Sequence, residues 1–129
     1  MKKTIKIGWF GVAMLLLMTN CVQRQHLKTI TFKVDMNGMD SISEVGIRGE
    51  FTSTPWSETL PLTDRDGDGI YEGTFSKETA HNGFEFKFVL NGAFELEGKD
   101  NRLIVMEYKP ETLIYEAVFN NPDGILSEE

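Results

Sequence analysis

The feature that most constrains this chain is the stretch from Val45 to Leu90. Short segments of alternating apolar and polar residues are separated there by glycine- and aspartate-rich turns. Strict alternation is the period of a half-buried strand, because successive side chains point to opposite faces. Phe84, Phe86, Phe88 and Leu90 fall on one face, with Glu85, Lys87 and Val89 on the other. Asn91-Gly92 then suits a tight type I′ hairpin, since both residues tolerate positive φ. The same period recurs upstream in Ile30, Phe32, Val34 and Met36, and downstream in Leu113, Tyr115, Ala117 and Phe119. Tyr71, Gly73 and Phe75 share a face in a strand over 70–76. Shorter strands are expected at 45–51, around Leu60 and Leu62, at Phe94–Leu96 and at 103–107. No window sustains a helical period. Roughly seven or eight short strands with regular turn signals predict an all-β fold: an antiparallel β-sandwich of immunoglobulin-like, early-set type.

The N-terminus predicts where the chain works. Lys2, Lys3 and Lys6 precede an uncharged apolar run, Ile7 to Met18. That run is too short for a bilayer core of about 30 Å and suits a signal-peptide core. The only cysteine of the chain, Cys21, follows at once. The segment Leu17–Cys21 resembles a bacterial lipobox, with Asn20 larger than the small residue usual before the cysteine. The resemblance implies acylation at Cys21 and a lipid-anchored protein of the bacterial cell envelope. A lone thiol has no internal disulfide partner, and two or more acyl chains anchor a protein stably. The expected organisation is a signal peptide over 1–20, a tether over 21–28, a sandwich over 29–119 and a frayed acidic tail over 120–129.

Charge narrows the partners. The chain carries 13 basic and 20 acidic residues, and three of the lysines lie in residues 1–20. The remainder therefore has 10 basic against 20 acidic residues, a net charge of −10. Nucleic acid demands a basic footprint and is excluded as a partner. Enzyme chemistry finds no support either. His26 and His81 have no cysteine or second histidine at metal-ligand spacing, and no nucleophile-elbow motif surrounds a serine. No cofactor is implied. Asp64, Asp66 and Asp68, with Gly69, match the first half of a calcium loop, but Phe75 stands where its bidentate glutamate belongs. The expected role of these aspartates is a solvated turn in which they bond their own backbone.

Four residues form a constellation with binding chemistry: Trp56, Lys87, Phe94 and Asn101. Aromatic rings cover the C–H face of a pyranose, while ammonium and amide groups pair with its rim of hydroxyls. Lys87 points away from the phenylalanine face, so its ammonium is expected to be free. The stretch 29–119 resembles the starch- and glycogen-binding carbohydrate modules of families 48 and 20, which include the glycogen-binding domain of the AMP-activated protein kinase β subunit. The likeness lies in Gly49, Phe51 and Trp56, then Asp68, Gly69, Tyr71 and Glu72. It continues through Phe86, Lys87, Phe88, Val89, Asn91, Gly92 and Phe94, and ends with Asn101, Leu103 and Val105. It implies that Trp56 and Phe94 stack on glucose rings of an α-glucan while Lys87 and Asn101 bond its hydroxyls. Phe94 departs from the tryptophan of the family and lacks an indole N–H. Such a site would be weak, with a dissociation constant of about 0.1–1 mM. The alternative expectation is a structural or protein-interaction lipoprotein that keeps the sandwich without the sugar site.

Overall fold

The computed structural model describes residues 23–129. The signal peptide and Cys21 lie outside the described residues. Among the described residues there is no helix. Nine strands run in order: β1 His26–Asp35, β2 Val45–Gly49, β3 Leu60–Leu62, β4 Ile70–Thr79, β5 Gly83–Leu90, β6 Ala93–Phe94, β7 Arg102–Val105, β8 Glu111–Val118 and β9 Gly124–Glu128. They form a β-sandwich. One sheet has the order β4-β1-β8-β9; the other has the order β3-β2-β5-β6, with β7 also pairing β5. A bridge between Thr63 and Glu72 joins β3 to β4 and so stitches the two sheets along one side.

The alternating pattern builds the core. Ile30, Phe32 and Val34 from β1 meet Phe84, Phe86 and Phe88 from β5, and all six are at most 5% exposed. Phe32 lies at the centre, with the rings of Phe51, Phe75, Phe84 and Phe86 at 6.2, 6.3, 6.4 and 5.1 Å. Several of these pairs meet edge to face, the arrangement that aligns ring edges with ring faces. Each fully buried phenylalanine contributes on the order of 1.5–3 kcal/mol. Tyr71, Gly73 and Phe75 share the inward face as expected, since they stand opposite Val34, Phe32 and Ile30. Asn91 and Gly92 take φ of 51° and 81°, as a type I′ turn requires.

The structure departs from the sequence reading in several places, among them the strand expected at Phe94–Leu96, which is Ala93–Phe94 with Leu96 outside it at a φ of 52°. The sandwich is not wholly antiparallel, because β1 and β8 pair in parallel from Lys28↔Glu111 to Asp35↔Val118. A parallel pair needs a long crossover, and here it runs from β2 to β7, through the whole second sheet and β4. The strand count is nine because residues 124–128, read as a frayed tail, form β9 against β8. All five residues of β9 are exposed, so backbone ladder bonds hold the strand, and burial patterning could not reveal it. At the other end β1 begins at His26, inside the expected tether. Lys28 is 1% exposed because its ammonium donates to the carbonyl oxygen of Glu107 at 2.6 Å, to Glu111 Oε1 at 2.6 Å and to the carbonyl of Lys109. Finally, β7 spans Arg102–Val105 and turns Arg102 and Ile104 inward, leaving Leu103 and Val105 outside.

Candidate functional site

The outer face of the β3-β2-β5-β6 sheet carries the site. Lys87 of β5 stands opposite Arg48 of β2, and Val89 stands opposite Phe94 of β6. Directly opposed residues share a face, so Arg48, Lys87, Val89 and Phe94 all project away from the phenylalanine core. Val89 is nevertheless 1% exposed: this outward face is partly covered. The loop between β2 and β3 reaches this face, where its Trp56 adjoins Phe94. It leaves at Gly49, where a Cβ would collide with the carbonyl oxygen of Glu85, and folds back so that Trp56 N–H donates to the Gly49 carbonyl at 3.2 Å.

Trp56 and Phe94 adjoin. Their ring centroids lie 6.2 Å apart with an interplanar angle of 61°. Trp56 is half-buried and Phe94 is 43% exposed. Together with Lys87, Glu95, Glu97, Gly98 and Asn101 they line an open groove of about 340 Å³. All four residues singled out from the sequence thus meet in one depression. Trp56 holds φ of 64°, a left-handed conformation that is a genuine outlier for a bulky side chain. Such strain costs about 1–3 kcal/mol and clusters at binding and active sites.

Two of the four have engagements that sequence could not show. The Lys87 ammonium is not free. It donates to the carbonyl oxygens of Leu96 and Lys99, each at 3.0 Å. An ammonium has three donors, so one N–H remains for a ligand. The two bonds hold the 95–101 loop over β5 as the far wall of the groove. Asn101, which is exposed, donates from Nδ2 to Glu85 Oε2 at 3.3 Å; its amide oxygen accepts nothing among the described residues.

The base of that wall is an ion pair that sequence reasoning missed. Glu95 is 1% exposed and Arg102 4%. Arg102 Nε donates to Glu95 Oε1 at 2.6 Å and Nη2 donates to Oε2 at 2.9 Å. The carboxylate also accepts from Phe88 N–H at 2.9 Å and Asn120 N–H at 3.0 Å. Arg102 Nη2 donates further to the Asn121 carbonyl at 2.6 Å, and its guanidinium stacks over Phe88 at 5.2 Å. Burial pulls the Arg102 pKa down, but the hydrogen bonds and charges of Glu95 and Tyr115 outweigh it and hold the guanidinium above its ordinary value. With Glu95 paired in this way, the charges left among the residues that line the groove are the Lys87 ammonium and the exposed carboxylate of Glu97.

Asp64, Asp66 and Asp68 do not line this groove. Their carboxylate oxygens approach within 4.8 Å of one another. Asp64 accepts from Gly67 N–H and Gly69 N–H, both at 2.9 Å, and Asp68 accepts from Ile70 N–H at 2.9 Å. These are the self-bonding turns expected from the sequence. No family model matches this chain, and no curated protein sequence matches it.

Proposed function

We propose that this protein is a non-catalytic carbohydrate-binding protein for α-glucan oligosaccharides, held at the bacterial cell envelope by lipid on Cys21. The observation that carries the reading is the adjoining of Trp56 and Phe94 at 6.2 Å above a groove that also holds Lys87 and Asn101. Rings inclined at 61° favour a saccharide that turns from one unit to the next, as α-linked glucans do. A flat β-1,4-linked chain suits coplanar rings. The remaining Lys87 N–H and the Asn101 amide oxygen supply one donor and one acceptor for hydroxyls. Each such bond adds about 0.5–1.5 kcal/mol net, which keeps the expected dissociation constant at about 0.1–1 mM. The likeness to the family 48 and 20 modules supports the same ligand class and an immunoglobulin-like fold.

Native electrophoresis through gels containing glycogen or amylose tests the reading. Retarded migration of the protein, lost in Trp56→Ala, is the expected result. Unretarded migration of the folded protein overturns it. That outcome favours a second reading, an anchored scaffold that offers this face to another protein. Two observations support the scaffold: Leu103 and Val105 stand 58% and 65% exposed on the outer side of β7, and Lys87 already spends two donors inside the chain.

A further inference from the structure

We propose that Arg48 is a fifth ligand-contacting residue, one that donates hydrogen bonds to the hydroxyls of the sugar stacked on Phe94. The inference rests on the saccharide reading above and adds to it a residue that the sequence did not single out.

Arg48 stands directly opposite Lys87 in the β2–β5 ladder. Opposed residues in such a ladder have Cα atoms about 4.5–5.5 Å apart, and like charges placed so are unfavourable. Neither cation has a carboxylate partner among the described residues. The ion pairs there are Lys28–Glu111, Arg102–Glu95, Lys109–Glu107 and Lys109–Glu128. In a chain with this excess of acid, two adjacent cations lacking acidic partners on the face that carries the aromatic pair have some other use. For Lys87 that use includes the loop carbonyls. For Arg48 the structure gives a single hydrogen bond, from Nε to Thr59 Oγ1 at 2.6 Å.

That one bond fixes the side chain and leaves its outer edge unspent. The guanidinium has five N–H donors in a planar fork, and the four on the two Nη atoms have no partner among the described residues. The group lies over Phe94, with Cζ 5.6 Å from the ring centroid, inside the range of cation–π attraction. Phenylalanine offers a sugar a face and no donor. Arg48 brings paired donors to the same ring, in a fork whose spacing fits adjacent hydroxyls. Its stem is covered, as the half-buried state of the residue shows, so little freedom is lost when a ligand arrives.

The test uses the full chain in detergent; Trp9→Phe silences the other tryptophan in any copy that keeps residues 1–20, so that Trp56 is the sole emitter. The probe is a linear maltooligosaccharide, titrated against Trp56 emission. Arg48→Met keeps the apolar stem and removes every donor. The expected result is binding weakened about tenfold, the loss of one or two hydrogen bonds, with the ligand-free emission unchanged. Binding within twofold of the parent overturns the proposal while the saccharide reading stands. Weakened binding accompanied by a shifted ligand-free spectrum also overturns it, because Arg48 would then only brace the rings. No binding by the parent chain sinks the saccharide reading itself, and this inference with it.

Discussion

Replacing Arg102 by methionine tests how the far wall of the groove is held. The substitution keeps an apolar stem against Phe88 and removes the guanidinium. Glu95 then loses both Arg102 donors, at 2.6 and 2.9 Å, and keeps only the backbone N–H groups of Phe88 and Asn120. The carbonyl of Asn121 loses its donor at the same time, which loosens the turn between β8 and β9. Breaking a buried pair by deleting one partner costs about 3–5 kcal/mol, because the other charge is left uncompensated. A domain of this size has a total stability of only about 5–15 kcal/mol. The melting temperature should therefore fall by at least about 12 °C and the urea midpoint by at least about 1 M. Adding Glu95→Gln to Arg102→Met removes the stranded charge, and the double variant should recover at least about 1 kcal/mol of the loss. Urea titrations followed by circular dichroism measure all three proteins. If Arg102→Met costs less than about 1 kcal/mol, or if the second substitution deepens the loss, the pair does not hold the loop in the way described.

Two further outcomes follow from local geometry. Trp56→Gly relieves the left-handed backbone at residue 56, so it should be more stable than Trp56→Ala by about 1 kcal/mol; thermal melts that rank alanine above glycine would contradict the φ of 64°. Asp64 has a lowered pKa: burial raises it, but the hydrogen bonds from Gly69, Asp66 and Gly67 prevail. A carboxyl depressed in the folded state gives stability that is present above its unfolded value and lost as pH falls through the folded one. Asp66, raised chiefly by its hydrogen bond with Asp68, releases its own contribution in the opposite sense. Amide exchange at Gly67 and Gly69, corrected for intrinsic rates, should therefore quicken as pH drops through and below the ordinary carboxylate range, and a flat profile would refute the role given to Asp64.

The strands were legible in the sequence where one face is buried and the other wet. Ile30, Phe32 and Val34, or Phe84, Phe86 and Phe88, announce their sides by alternation alone, and the asparagine–glycine pair at 91–92 announces its turn. The run from Arg102 to Val105 announces a strand but not its facing, because three consecutive aliphatic residues fit either face. The β5–β7 register, which sets Arg102 opposite Phe86 and Ile104 opposite Phe84, turns Arg102 inward to meet Glu95 and leaves Leu103 and Val105 outside. β9 was illegible for a related reason: a strand held by backbone pairing, with every residue exposed, leaves no apolar pattern to read. The site divides along the same line. Residue type and order were enough to single out Trp56, Lys87, Phe94 and Asn101, since each is set by a local turn or strand. What each side chain has left to offer depends on contacts made far along the chain. Lys87 spends two donors on carbonyls 9 and 12 residues away. Arg48 reaches the aromatic pair only because the β2–β5 register sets it opposite Lys87. A one-residue slip of β2 would turn Arg48 into the core and take its guanidinium away from Phe94. The binding chemistry of this face is therefore a property of strand pairing as much as of the residues themselves.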